Sequence, residues 1–169
     1  MSTRSPNAGF VARFAIVLVA LYLLMALNWV NDHAIVPFTR FVVQSTAVVL
    51  RLVREPVVMD GTILRGQHFA LDVKNGCNGV EGMLLLTAAV AAFPATLRSR
   101  FLGLVVGSLA IGIINIVRVT SLVWLGEHHR SSFDLFHVTV WQTLVVLASL
   151  AIFTIWSWKF AERPSVATR

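Results

Sequence analysis

Three side chains in this 169-residue sequence have the chemistry for covalent acyl transfer: Cys77, Arg118 and His137. Cys77 is the sole cysteine. It lies in Asn75-Gly76-Cys77-Asn78-Gly79-Val80-Glu81-Gly82, where a polar segment gives way to an apolar run. A free cysteine serves as readily as a small buried hydrophobe as it does as a nucleophile. Its glycine and asparagine neighbours, Asn78 among them, fit a helix start and close backbone approach. A thiol placed there is pushed towards thiolate by unpaired amides and the helix dipole. Arg118 stands inside an otherwise apolar run, where a charge is costly and marks function unless it snorkels to an interface. A guanidinium beside a thiol can bind a substrate carboxylate or stabilise the oxyanion of a tetrahedral intermediate. Asn115, three residues earlier, projects from the same helix face and can equally bond one helix to another. His137, with an ordinary pKa of about 6.5, can act as general base or acid, and His68, His128 and His129 compete with it. Glu81, one turn beyond Cys77, can orient a partner or face lipid headgroups. Nucleophile, base and oxyanion stabiliser together form the pattern of acyl transfer through a thioester.

Composition says where such chemistry would take place. The chain is 57% hydrophobic and only 13% charged, with a mean hydropathy of +0.77. Soluble domains carry roughly 25% charged residues, so the sequence reads as an all-α integral membrane protein forming one domain over residues 1–169. One cysteine excludes an internal disulfide and a multi-cysteine metal site. A metal held by histidines would find carboxylate partners only in Glu127 and Asp134, and no cofactor or metal is expected. The net charge of +6 is a topology signal rather than a nucleic-acid footprint, because Lys and Arg concentrate in cytoplasmic loops. No nucleic-acid partner is expected.

The elements that must position these residues follow from hydropathy. Residues 10–30 are almost wholly apolar, long enough for the roughly 20 residues of a spanning helix, and lack a clear cleavage site, which makes them a retained anchor. Residues 34–54 are apolar on average, but Arg40, Gln44, Arg51 and Arg54 form one polar stripe. That pattern predicts an amphipathic helix lying in the interface; a fifth spanning helix is the alternative. Residues 55–76 form an extracytoplasmic segment in which Asp60-Gly61, between short apolar runs, signals a β-hairpin. Further spans are expected at 79–97, 101–125 and 138–158, giving about four in all. The loop with Arg98 and Arg100 separates the second from the third, and a polar loop at 126–136 separates the third from the fourth.

The positive-inside rule places Arg4, Arg13, the Arg98/Arg100 loop and the tail with Lys159, Arg163 and Arg169 in the cytoplasm, so both termini are cytoplasmic. Cys77 then opens the second span on the outer side. Arg118 lies seven residues before the outer end of the third, roughly 10 Å into it at about 1.5 Å per residue. His137 opens the fourth span on the same side, so all three groups share one leaflet.

With that arrangement, Cys77-Asn78-Gly79 opening one span, Asn115-Ile116-Val117-Arg118-Val119 near the end of the next and Phe136-His137 opening the last resemble the exosortase/archaeosortase family. These are integral membrane cysteine transpeptidases. The resemblance covers residues 74–158, and the compact chain is similar to the exosortase H branch. It implies that Cys77 is the nucleophile, that Arg118 and His137 complete the catalytic set, and that histidine at the last position points to the bacterial side of the family. It further implies a multi-pass protein of the bacterial inner membrane with its site facing the periplasm. The substrates would be exported proteins ending in a short motif, a transmembrane helix and a basic tail. The acceptor nucleophile is unspecified, and lipid is the surrounding partner. The rival reading is a non-catalytic membrane subunit or small transporter with Arg118 and Asn115 lining a polar pathway. A transporter should show paired repeats or broken helices, and the sequence shows no repeat.

Overall fold

A computed structural model describes residues 6–161. Helix α1 spans Pro6–Met25. A short helix α2, Asn28–Val30, runs through a π-helical turn at Asn31–Ile35 into α3, Val36–Leu52. Three short strands follow, β1 Val58–Asp60, β2 Ile63–Arg65 and β3 Ala70–Asp72. Then come α4 Val80–Ala92, α5 Leu97–His128 and, after a second π-helical turn at Leu135–Val140, α6 Trp141–Lys159.

Among the described residues, four helical stretches are long and apolar enough to cross a membrane: Ala8–Met25, Asn28–Leu52, Leu97–His128 and Arg130–Lys159. Helix α4, with 13 residues, measures about 20 Å at 1.5 Å per residue. It stops where it does because Phe93, before Pro94, is held in the extended region (φ −77°, ψ 138°), as the proline ring requires of its predecessor. The next helix starts at once. Thr96 caps α5 by accepting a hydrogen bond from the Ser99 amide (3.3 Å), so Arg98 and Arg100 lie in its first turn. The Arg100 guanidinium donates back to the Phe93 carbonyl (2.8 Å).

Helix α4 packs against α1, α5 and α6. Val80, Gly82, Leu86, Ala88, Ala89, Val90 and Ala92 on it are buried, as expected for a helix apolar on all sides. The outward faces of α1, α5 and α6 carry Ile16, Leu23, Val106, Leu109, Ile113 and Leu147, all exposed, which suits contact with acyl chains.

Helix α3 divides sharply. Thr39, Val42, Val43, Thr46, Ala47 and Leu50 face the protein, while Arg40, Gln44 and Arg51 of the polar stripe are exposed.

The strands form one antiparallel sheet in the order β1-β2-β3. Asp60 pairs with Ile63, leaving Gly61-Thr62 as a two-residue turn with Gly61 at φ +63°, the position a tight hairpin reserves for glycine. The Asp-Gly signal therefore marks a real hairpin, and a third strand extends it through the pair Leu64–Leu71. Leu64, Leu71 and Val73 from the sheet meet Val42, Val43, Ala47 and Leu50 of α3 and Val119, Leu122 and Val123 of α5 in one core cluster, and Cys77 belongs to it. The second cluster, around Leu86, Val90, Ile111 and Trp156, fills the opposite half of the bundle.

Candidate active site

The loop that carries Cys77 is built by local hydrogen bonds before any helix begins. The amides of Cys77 and Asn78 both donate to the Lys74 carbonyl, at 2.9 and 3.1 Å. Gly76 and Gly79, on either side, have φ of +87° and +85°, a left-handed conformation that costs L-residues roughly 1–2 kcal/mol. The result is a tight elbow with the thiol at its centre, and α4 starts three residues later. Asn78 is the keystone. Its Oδ1 accepts from the Val80 amide (3.1 Å), capping the helix, while its Nδ2 donates to Asn75 Oδ1 (3.2 Å) and to Thr39 Oγ1 of α3 (2.9 Å). Thr39 Oγ1 in turn donates to the Ile35 carbonyl (2.8 Å). Glu81 closes the loop by accepting from the Gly76 amide.

Helix α5 meets this elbow with Asn115, which is 0% exposed and donates from Nδ2 to the Cys77 carbonyl (3.2 Å). A Cβ on Gly79 would sit 2.8 Å from Asn115 Cγ and 2.9 Å from Asn115 Cβ, so the missing side chain is what lets α5 come this close. At Gly79 the space that glycine leaves is thus filled by the protein itself. Beside Gly76 it is open, with nothing within 4 Å of where a Cβ would stand.

Arg118, one turn along the same face, is 2% exposed. Its Nη2 donates to Gln142 Oε1 on α6 (3.3 Å), and its Nε has no partner. Among the described residues no carboxylate pairs with this guanidinium, although a buried charge ordinarily demands one. The charge nevertheless reaches the thiol. Burial pushes the Cys77 pKa above the ordinary cysteine value, Arg118 pulls it back in part, and Glu81 adds to the rise. Burial thus opposes the thiolate that a helix start favours: Cys77 is 5% exposed, and loss of water is the largest influence on its pKa.

His137 lies on the π-helical turn before α6, a wider turn that recurs at functional sites. Its ring lies against Phe133 (centroids 5.3 Å apart), and Phe133 packs on the cluster that holds Cys77. It too lies within the field of Arg118. The charge of Arg118 thus acts on both the thiol and the imidazole.

The competing histidines go elsewhere. His68 lies 3.5 Å from Glu127, and His128 bonds Glu55 at 2.8 Å; both pairs line a separate cavity of about 460 Å³. His129 lies beside Trp124. Glu127 also accepts from the His68 and Phe69 amides (3.0 and 3.1 Å), which ties the β2–β3 loop to the end of α5. Among the described residues, no three His, Cys, Asp or Glu side chains gather as a metal site.

Thr39 and Gln142 are the positioning residues that the sequence did not single out. Each is one of several polar residues on its helix, and only its distant partner reveals its role.

The family model described as transmembrane exosortase (Exosortase_EpsH) matches residues 4–156, extending the resemblance from the second half of the chain to nearly all of it. No curated protein and no solved structure matches the chain. With its membrane-crossing helices and a match over most of its length, the chain is a multi-pass membrane protein and belongs to the transmembrane exosortase family.

Proposed function

We propose that this protein is a cysteine transpeptidase or peptidase that cleaves the C-terminal sorting signals of exported proteins through a thioester on Cys77. The observation that carries the reading is Arg118: a buried guanidinium that pairs with no carboxylate among the described residues and whose charge reaches the only thiol. Arginine keeps its charge under all relevant conditions, and such a charge is poised for a negative partner that exists only during the reaction.

In this reading His137 takes the thiol proton as sulfur attacks the peptide carbonyl, forming the S–C bond and placing negative charge on oxygen beside Arg118. Collapse breaks the C–N bond, and His137 returns its proton to the departing amine. Water or an amine then attacks the thioester and frees Cys77. Since burial opposes the thiolate, the attack calls for a base within reach. The substrate carries its own motif, transmembrane helix and basic tail. In this reading the elbow faces the periplasmic side of the inner membrane, so the cleavage point lies just beyond the substrate's spanning helix.

The test is processing of a tagged sorting-signal substrate co-expressed with wild type, Cys77→Ala, Cys77→Ser and His137→Ala. Processing should stop in the Cys77 variants and stall in His137→Ala. Unchanged processing in Cys77→Ala removes the nucleophile, and with it the whole reading. Normal turnover in His137→Ala moves the base to His128, His129 or His68.

A further inference from the structure

Arg118 Nε and Asn115 Oδ1 are both buried, and among the described residues neither has a hydrogen-bond partner. The Asn115 orientation is fixed chemically, because the Cys77 carbonyl can only accept and so takes the Nδ2 end of the amide. Oδ1 is left as a desolvated acceptor, a costly state when nothing fills it. One helical turn separates this orphan acceptor from the orphan donor of Arg118, and both belong to the face of α5 that meets the elbow.

An extended peptide residue presents its own N–H and C=O to the same side of the chain, as each hydrogen-bonded pair in an antiparallel ladder shows. A donor and an acceptor one turn apart on a single helix face match that pair. We infer that Asn115 Oδ1 accepts the backbone N–H of the substrate residue whose carbonyl Cys77 attacks, while the carbonyl oxygen of that same residue turns to Arg118. The inference rests on the proposed thioester chemistry and adds to it a second anchoring point on the acyl side of the scissile bond. That N–H stays on the acyl group after the amine departs, so Asn115 holds the thioester as well as the substrate. The same amide thus fixes the elbow with its nitrogen and the substrate with its oxygen. Open space beside Gly76 offers an approach for the extended chain.

The test uses irreversible probes rather than the unidentified substrate. N-acetyl-alanine chloromethyl ketone carries the N–H in question, and its isosteric counterpart, with ester oxygen in place of that N–H, does not. Each alkylates the thiol to a thioether with loss of chloride. Cys77 is the sole cysteine, so intact mass, with Cys77→Ala as control, reads the site directly. Rates are normalised to those of each probe with glutathione. Wild type should prefer the amide probe by roughly tenfold, which corresponds to about 1.4 kcal/mol, within the range for a hydrogen bond made in a desolvated site. Asn115→Leu, which keeps the branched skeleton and removes both polar ends, should bring the ratio to about one, and the smaller Asn115→Ala should do the same. A purely structural role for Asn115 would slow both probes equally and leave the ratio intact. An unchanged ratio in the variants, no preference in wild type, or failure of both probes to reach Cys77 overturns the inference. Loss of the thioester reading would instead appear as continued processing in Cys77→Ala, a separate measurement.

Discussion

Replacing Gly79 by alanine tests the geometry of the elbow most sharply. The new methyl would meet Asn115 Cγ at 2.8 Å and Cβ at 2.9 Å, distances that real Cβ contacts do not sustain, on a residue whose φ is +85°. The backbone conformation alone costs roughly 1–2 kcal/mol for an L-residue. Displacing Asn115 breaks its bond to the Cys77 carbonyl and leaves a buried acceptor unpaired, which adds roughly 1–3 kcal/mol. The expected loss is the sum, about 2–5 kcal/mol. Gly76→Ala supplies the internal reference, because φ there is +87° but the space is open; its loss should stay at the backbone share, about 1–2 kcal/mol. Stability can be followed in detergent by thermal unfolding with a thiol-reactive fluorogenic maleimide, since the only thiol is buried when folded. In Gly79→Ala/Asn115→Ala the hydrogen bond is already absent, so the double variant should fall short of additivity by that share, about 1–3 kcal/mol. Equal losses for the two glycine variants, or strict additivity in the pair, would refute the packing argument.

Removing the charge at Arg118 should act in two places. Arg118→Leu is expected to lower substrate processing by about 10²–10³-fold, the usual effect of losing an oxyanion donor. It should also move the pH profile of Cys77 alkylation by iodoacetamide to higher pH, because Arg118 is the influence that pulls the thiol pKa down; an unmoved profile would separate the guanidinium from the thiol. Glu81→Gln should do the opposite. It keeps an acceptor for the Gly76 amide but deletes the charge that disfavours thiolate, so alkylation at a fixed pH should speed up. In wild type, with the thiol pKa raised, the midpoint of the rate profile should lie above about pH 8.5, the midpoint of an ordinary cysteine. A midpoint at or below that point would contradict the burial argument.

The chemistry of the site was more legible in the sequence than its surroundings. Arg118 and Asn115 could be placed on one helix face from their spacing alone, and the structure turns that face to the elbow. The Asp60-Gly61 signal likewise located the hairpin, because a two-residue turn is dictated locally. Burial was not legible. The local pattern around Cys77 argued for a thiolate, and only the packing of α3, the sheet and α5 over the thiol reverses the sign. Helix ends were also misjudged where a cap outweighed composition: Thr96 carries α5 back through Arg98 and Arg100, residues that hydropathy had placed in a loop. Gln142 and Thr39 left no signal, since a polar residue in an apolar helix is common and each matters through one distant partner.

The dependence on Thr39 says what the first half of the chain is for. Residues 74–158 contain every group the proposed reaction needs, and the sequence resemblance stopped there. Yet the elbow is not self-supporting. Asn78 caps α4 with one end of its amide and leans on Thr39 of α3 with the other, and the walls around Cys77 are Val42, Val43, Leu64, Leu71 and Val73 from α3 and the sheet. Without them the thiol would be solvated and its pKa would fall towards the ordinary value. The desolvation of the thiol is thus supplied in part by residues before position 74. That is a physical reason for the family match to reach back beyond the segment that carries the reacting groups.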